Sequence, residues 1–438
     1  MNFLFLMDPL DTVVMDKDTS FIFMWGAHQR GHKIFFVTDG DILLKDGELI
    51  FHALAVIPEK NAQNPFAQRT PVVLDQNKID AVFVRNDPPF DPQYLLNTWL
   101  LDRLPKNIPV INSPHGLRTV NEKVWAAQFT QLVPPTLIGR KSAALLDFLS
   151  LHKDIVAKPT DGFGGVGVFH INLRDKNAQV ILETLTQRWR KDVILQKYLP
   201  ESQNGDKRIL LLNGDVLGTI IRLHSQDDHR NNLFAGGTPM SAEITKRDLE
   251  IVSVLRPHLQ RLGLYFVGID IIGHCLIEVN VTSPTCLQEM NVLYNKTLEM
   301  DVIAFVEKLV HQHKNPDIPF EKFLEQNRSA DIMVEKSLER TQESEKKPDA
   351  EKKQAPQMKH QLTLYHFLGC PFCARVRDYL AQNKIVIQTK DIRTNPHNRE
   401  ELIKISGSPQ VPCLLIDGKP LYESDDIIQW FRDNWKRS

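Results

Sequence analysis

The sequence predicts an α/β protein that begins as an open sheet, continues through further mixed domains and ends in a separate small βα unit. Three observations carry that expectation. An apolar run from Asn2 to Met7, a helical stretch near Ser20 to Arg30 and the run Lys33-Ile-Phe-Phe-Val37 follow one another as strand, helix and strand. A chain of 438 residues is long enough for about three domains, each with its own core. From about Glu325 to Lys359 the composition turns to Glu, Lys, Gln and Ser, a solvated linker beyond which the chain must fold by itself.

Composition excludes some classes of function. With 42% hydrophobic residues, 24% charged and a net charge of −1, there is no global basic field for nucleic acid or an anionic membrane. The apolar start lacks a basic leader and runs straight into Asp8-Pro9, so it reads as a first strand, far too short to span a bilayer, and a cytoplasmic location is expected. Five cysteines, two of them in a C-x-x-C spacing, suggest reduced thiols plus one redox or metal motif rather than a disulfide framework.

Residues 79–84 and 108–111 add two strand candidates to the opening sheet. Ligands gather at the carboxyl ends of such strands, which here carry Asp8-Pro9, Arg85-Asn-Asp-Pro-Pro-Phe90 and Asn112-Ser-Pro114. A guanidinium at Arg85 is suited to clamp a substrate carboxylate, although turn chemistry alone accounts for loops of this composition. Next, Asn121-Glu-Lys123 is expected to open a helix, and Ile155 to Pro159 reads as a strand feeding Thr160-Asp-Gly-Phe-Gly-Gly-Val-Gly167. Glycines at 162, 164, 165 and 167 let backbone N–H groups approach phosphate oxygens. The order is not that of a P-loop, because the lysine precedes the glycines, and a plain hairpin turn is the alternative. Lys123 and Lys158 strengthen the nucleotide reading, since ammonium groups complement a triphosphate. The strand candidate Val193 to Leu199 offers backbone hydrogen bonds to a purine edge. Arg208 and Arg222 each adjoin a buried-looking strand, where an arginine needs an anion: usually a carboxylate, alternatively a phosphate. The run Arg230-Asn-Asn-Leu-Phe-Ala-Gly-Gly237 has the composition of a lid over a small carboxylate, or of an ordinary turn.

The stretch Gly268 to Thr285 reads as two short strands around a turn at Gly273-His274. Asp270 lies on the first, while Glu278 and Asn280, two apart on the second, project to one face. Such hard oxygen ligands, leaving room for water and phosphate, suit Mg²⁺ held against a nucleotide; polar ends on a buried strand pair are the plainer reading.

Taken together, Met7-Asp-Pro9, Arg85-x-Asp-Pro-Pro-Phe90, Asn121-Glu-Lys123, Lys158-Pro-x-Asp-Gly-x-Gly-Gly165, Gly205-Asp-Lys-Arg208, Arg230-x-Asn-Leu-x-Ala-Gly-Gly237 and Glu278-Val-Asn-Val-Thr-Ser-Pro-Thr285 resemble bacterial glutathione synthetases of the ATP-grasp superfamily, in the right order over residues 1–316. The resemblance implies a mixed α/β and α+β architecture: an N-terminal α/β substrate domain (1–120), a lid domain (121–200) and a catalytic domain (201–316), followed by the linker (317–359). It implies ATP and Mg²⁺, in two ions, as cofactors, γ-glutamylcysteine and glycine as substrates, and a homo-oligomer, with a tetramer expected. By position, Lys123 and Lys158 would contact ATP phosphates, and Gly162, Phe163, Gly164 and Gly165 would cover them. Gln196, Lys197, Tyr198 and Leu199 would face the adenine, and Asp270, Glu278 and Asn280 would hold the metal. Arg208 and Arg222 would stabilise the transferring phosphoryl group. Arg85, Arg230, Asn232, Ser283 and Thr285 would serve the peptide and glycine. One departure is that the family often has lysine where this chain has Asn86. In the implied reaction a peptide carboxylate attacks the γ-phosphate and a glycine amine displaces the resulting acyl phosphate, so metal ions and arginines stabilise charge and no side-chain nucleophile is needed. Cys286 then reads as a buried structural thiol.

At the C-terminus, Leu362 to Phe367 reads as a strand and Gly369-Cys-Pro-Phe-Cys373 leads into a helix from Ala374 to Gln382. A C-x-x-C at a helix start places its first thiol near the positive helix end, which favours thiolate. A zinc half-site competes but lacks a second Cys/His pair at finger spacing. Val411-Pro412, the strand Cys413 to Ile416 and the hairpin turn Asp417-Gly418 complete the pattern, and residues 360–438 resemble glutaredoxin. That implies a thioredoxin-like fold, a cis Val411-Pro412 bond, and Ser424 and Asp425 receiving the γ-glutamyl end of glutathione, the redox co-substrate. Cys370 would form mixed disulfides and Cys373 would resolve them, while Cys413 is expected to be buried. Two alternatives stay open: a ligase for another thiol peptide or amine, and an inactive ligase half that presents glutathione to the redox domain.

Overall fold

In the computed structural model the chain divides into two compact units, Met1–Ala330 and Asp331–Ser438. The structure describes residues 1–162, 164–223, 238–315 and 362–366, and most of 371–434.

The first unit opens with a seven-stranded sheet: β1 (Asn2–Leu6), β2 (Lys33–Val37), β3 (Ile42–Lys45), β4 (Glu48–Ile57), β5 (Gln68–Asp75), β6 (Ala81–Val84) and β7 (Val110–Ile111). Its order is β3-β4-β2-β1-β6-β7, with β5 on β4. Strands β2, β1, β6 and β7 run parallel and are covered on both faces, which is why they read as unbroken apolar runs. The sequence reading has no strand between residues 40 and 78, yet β3, β4 and β5 lie there, antiparallel to their neighbours. They escape notice because they are partly solvated: Leu43, Leu44 and Val73 are exposed, and Pro71 interrupts the outer strand β5. Helix Thr19–Gln29 starts where the Asp18 carboxylate accepts from Phe21 N–H at 2.7 Å. It packs against Leu298–Lys314, the last helix of the unit.

A second, antiparallel sheet has the order β10-β9-β11-β8, from β8 (Thr136–Gly139), β9 (Asp154–Pro159), β10 (Phe169–Asn172) and β11 (Val193–Lys197). Its private core joins Ile155, Ala157, Val193 and Leu195 to Leu145, Leu149 and Leu182 of two helices. The third sheet, β14-β13-β12-β15-β16, consists of β12 (Asp206–Leu212), β13 (Asp215–Leu223), β14 (Thr238–Ser241), β15 (Phe266–Ile272) and β16 (Cys275–Asn280). The first and third sheets share their cores: Leu4 and Val82 cluster with Leu211 and Ile269, and Phe3 and Phe83 with Leu210 and Phe266. Buried Asn112, just after β7, stitches them, donating to the carbonyls of Phe266 and Val281 at 2.7 Å each and accepting from Phe266 N–H at 2.8 Å.

The second unit is a four-stranded sheet, β18-β17-β19-β20, of β17 (Leu362–His366), β18 (Gln388–Asp391), β19 (Cys413–Ile416) and β20 (Lys419–Leu421), with helices Pro371–Gln382, Pro396–Ser406 and Ser424–Asn434. Asp417 and Gly418 both take positive φ, 50° and 81°, the two-residue turn that matches strand twist in a hairpin. No helix among the described residues is long and apolar enough to cross a membrane.

Candidate active site

The expected helix at Asn121 is replaced by a turn followed by a short 3-10 helix, Trp125–Gln128. Asn121 caps that turn: its Oδ1 accepts from Lys123 N–H at 3.1 Å and Val124 N–H at 2.9 Å, and its carbonyl accepts from Trp125 N–H at 3.0 Å, after which the chain tightens into the 3-10 helix. Glu122 pins the same turn from the other side. Its Oε1 accepts from the N–H groups of Val281 and Thr282 (2.8 and 3.0 Å) and from Thr282 Oγ1 (2.9 Å), and its carbonyl accepts from Val279. This half-buried carboxylate, raised in pKa by loss of water and by Glu278, ties Lys123 to the loop after β16.

Lys123 thereby reaches Glu278, with which it forms an ion pair. The antiparallel register sets Asp206 opposite Arg222, Arg208 opposite Asp270, Asp270 opposite Glu278, and Gly268 opposite Asn280. Cross-strand partners share a sheet face, so these side chains form one row. Arg208 donates Nε to Asp270 Oδ1 at 2.5 Å and Nη2 to Oδ2 at 2.8 Å, with Gly268 leaving room beside its stem. Arg222 forks onto Asp206 and also approaches Asp270 Oδ2 at 3.0 Å. Burial alone would raise the Asp270 pKa, but the two guanidiniums hold that carboxyl well below the usual carboxylate range. Asn280 Nδ2 donates to Asp270 Oδ2 at 3.3 Å. Lys158, buried near the end of β9, completes the group: burial pushes its ammonium down to about 8, with Glu278 and Asp270 pulling the other way. At the start of β12, Gly205 has φ +89°, and a Cβ there would lie 2.4 Å from the Arg222 carbonyl.

The structure thus brings Lys123, Lys158, Arg208, Arg222, Asp270, Glu278 and Asn280 together, with the carboxylates on both arginines that ordinary ion pairing leads one to expect. Asp270, Glu278 and Asn280 supply hard oxygens from facing strand positions, a donor set that fits Mg²⁺ sharing its shell with water and phosphate. No group of three His, Cys, Asp or Glu side chains among the described residues is arranged to hold a metal ion by itself, and a metal completed by a nucleotide does not require one.

Other expected positions fall around this row. The glycine stretch joins antiparallel β9 and β10, with positive φ at Gly164, Gly165 and Gly167, while Gly162 closes on Pro159. Along the purine-edge stretch, the backbone N–H groups of Lys197 and Tyr198 are taken by the carbonyls of Pro135 and Asp154 (2.9 and 3.0 Å), because they continue the strand's pairing. Gln196 is buried and donates to Thr136 Oγ1 at 3.1 Å, Tyr198 stacks on His170, and the Leu199 carbonyl accepts from Ser202. Buried Arg85 bonds to Ser20 Oγ and the Pro284 carbonyl, both at 3.0 Å, rather than to a carboxylate of the chain. Ser283 Oγ donates to Asp87, and Thr285 Oγ1 lies 3.8 Å from the sulfur of Cys286. Cys286 is buried, with its thiol pKa raised by burial, in keeping with a structural role. Phe163, Arg230, Asn232 and Cys370, the linker, and the Asp425 side chain lie outside the described residues. Sequence reasoning passes over Glu122 and Asp206 as site residues. Asp206 had a signal, standing two positions before Arg208 on the same strand face; Glu122 had none beyond adjacency to Lys123.

In the second unit Cys373 is buried on helix Pro371–Gln382, and Val411-Pro412 is cis, as expected. Ser424 is buried at the start of the last helix, and Gln410 Nε2 donates to Glu423 Oε1 at 3.2 Å beside it. Cys413 is buried and its thiol is pushed up to about 11 by that burial.

Comparison with known proteins decides the family. Residues 1–118 match the prokaryotic glutathione synthetase N-terminal domain, and residues 122–295 match the prokaryotic glutathione synthetase ATP-grasp domain. The glutathione synthetase of Pseudomonas aeruginosa is 38% identical over 304 residues, 68% of this chain and 96% of that protein. The chain belongs to the prokaryotic glutathione synthetase family. The glutathione synthetase of Synechocystis is 37% identical over 318 residues, covering 70% of this chain and 99% of its relative. Residues 362–421 match glutaredoxin, so this synthetase-family ligase carries a C-terminal glutaredoxin domain of the thioredoxin-like fold. Among solved structures, D-cycloserine synthetase DcsG superposes with a TM-score of 0.51 at 16% identity, over 70% of this chain and 99% of that one, a likeness of ATP-grasp fold. The chain is an ATP-dependent ligase fused to a glutaredoxin.

Proposed function

We propose that the ligase unit joins γ-glutamylcysteine to glycine with ATP and that the glutaredoxin unit uses the product, glutathione, in thiol-disulfide exchange. The row of Lys123, Lys158, Arg208 and Arg222 around Asp270 and Glu278 carries this reading: four cations meet on one face with the oxygens a metal-nucleotide complex needs. Mg²⁺, in two ions held by Asp270, Glu278 and Asn280, would supply charge neutralisation on the phosphates. Lys123 and Lys158 bind phosphate oxygens under the glycine stretch 162–165, Lys123 turning to the nucleotide from its present partner Glu278. The peptide carboxylate attacks the γ-phosphate to give an acyl phosphate, and the glycine amine displaces phosphate from it. Negative charge builds in both steps, and Arg208 and Arg222, already held in place by Asp206 and Asp270, stabilise it without reorganising. Arg85, Arg230, Asn232, Ser283 and Thr285 orient the two substrates, and closure of the lid keeps water from the acyl phosphate. In the redox unit Cys370, next to a helix N-terminus, forms the mixed disulfide with glutathione held at Val411, Pro412, Ser424 and Asp425, and Cys373 resolves it. The domains 1–120, 121–200, 201–316 and 360–438, the linker 317–359, a tetramer and a cytoplasmic location belong to the same reading.

The test is ATP-dependent phosphate release by the full chain. Turnover requiring both γ-glutamylcysteine and glycine is expected; turnover with a different amine alone would make it another ligase, and none with any amine would leave a binding scaffold.

A further inference from the structure

The carboxyl ends of the parallel strands in the first sheet carry an acidic basin distinct from the row on the third sheet. Asp8 follows β1, Asp39 follows β2 and Asp87 follows β6, with Asp18 beside them. Asp8 Oδ2 accepts from Asp87 N–H at 2.9 Å, Asp39 Oδ1 accepts the side-chain amides of Asn97 at 2.5 Å and of Asn86, the neighbour of Asp87, at 3.4 Å, and Asp39 and Asp18 lie near enough to act electrostatically on Asp8. Burial raises both Asp8 and Asp39 above the ordinary carboxylate range, helped at Asp8 by the charges of Asp87, Asp39 and Asp18 and at Asp39 by that of Asp91, and no cation of the chain is among the main influences on either. Asp87 also accepts from Ser283 in the loop after β16, so the basin adjoins the loop that carries the expected substrate residues Ser283 and Thr285.

Two further groups point to a ligand. The Tyr94 hydroxyl, on helix Pro92–Leu101, is buried and makes no hydrogen bond among the described residues; the charges around it are Glu122, Arg85, Asp39 and Asp8. A buried donor left unpaired is costly and persists where something else completes it. Arg85 is the second: a buried cation satisfied by a hydroxyl and a carbonyl, with its guanidinium 5.7 Å from the ring centres of Phe23 and Phe266. A bare amine would leave Arg85 and Tyr94 unmatched, and a bare carboxylic acid would leave the aspartates unmatched.

We propose that this basin seats a zwitterionic α-amino-acid head, its ammonium against Asp8, Asp39 and Asp87 and its carboxylate on Arg85 and the Tyr94 hydroxyl. The inference rests on the proposed ligation, in which the γ-glutamyl group of the peptide bears such a head at the end remote from the reacting carboxylate.

Calorimetric titration of the full chain with γ-glutamylcysteine and with its desamino analogue, glutarylcysteine, tests it apart from turnover. The parent is expected to bind the peptide at least about tenfold tighter than the analogue, the worth of a charge-assisted contact. Asp39→Asn should shrink that ratio to about one to three without changing affinity for the analogue, and should raise KM for the peptide while KM for ATP holds. Tyr94→Phe, which removes no bond of the folded chain, should weaken both ligands alike by about threefold or more. Equal binding of peptide and analogue by the parent overturns the proposal, as does failure of both to bind, or an Asp39→Asn loss shared by both. Discrimination without turnover on glycine would sink the ligation reading and leave the basin assignment standing.

Discussion

Lys158 illustrates how a single residue can serve the site at the expense of the fold. Its ammonium is pushed down to about 8 by burial, against an unfolded value near 10.5. Between those values the unfolded chain binds more protons, so stability rises with pH there; below about 8 the buried charge is a net liability until phosphate arrives. Lys158→Met is therefore expected to raise the stability of the nucleotide-free chain by roughly 1–3 kcal/mol at neutral pH, measured by urea unfolding, and to cut turnover at least about a hundredfold. Loss of both stability and turnover would mark Lys158 as structural. This lysine is legible in the sequence because its partners, the glycines at 162–167, follow it directly. Glu122 is not legible: its carboxylate is defined by Val281 and Thr282, 159 and 160 positions away, and no local pattern encodes such a contact.

Among elements, helices Thr19–Gln29 and Leu298–Lys314 are fastened at their margin by Glu307, which takes Arg30 Nε at 2.8 Å and Nη2 at 2.7 Å and lies 2.6 Å from His32 Nε2. Burial would raise this carboxyl, but the bonds to His32 and Arg30 hold it at about 2. A depressed carboxylate contributes stability that is complete above its unfolded value of about 4.5 and is lost as pH falls toward about 2. Glu307→Gln should accordingly flatten the decline in stability between about pH 4.5 and 2, followed by urea midpoints; an unchanged slope would rule out the linkage. The sequence foretells elements in proportion to how fully they are covered. Strands β1 and β6, buried on both faces, show as apolar runs, whereas the half-solvated β3, β4 and β5 carry no clean period.

For the whole molecule, the hydrophobic clusters explain how one chain holds a ligase and a glutaredoxin domain. Among the described residues, those of the C-terminal unit draw on Leu362 to Phe431, and those of the first unit reach as far as Val310. A chain ending at Ala330 is expected to keep its ligation rate, and one starting at Asp331 its glutathione-dependent disulfide reduction, with Cys370→Ser abolishing the latter; failure of either piece to act alone would show that the units depend on each other. What joining them adds is effective concentration, which needs no shared surface. The two-unit plan is readable because the change in composition after residue 325 and the C-x-x-C motif are both local, whereas the sharing of cores between the first and third sheets depends on packing between distant segments. Gly205 shows what such packing does over evolutionary time. Any larger residue there must both adopt an unfavourable backbone angle and collide with the carbonyl of the arginine that faces Asp206. Neutral drift is closed at that codon, and a new specificity for this ligase would have to evolve around it.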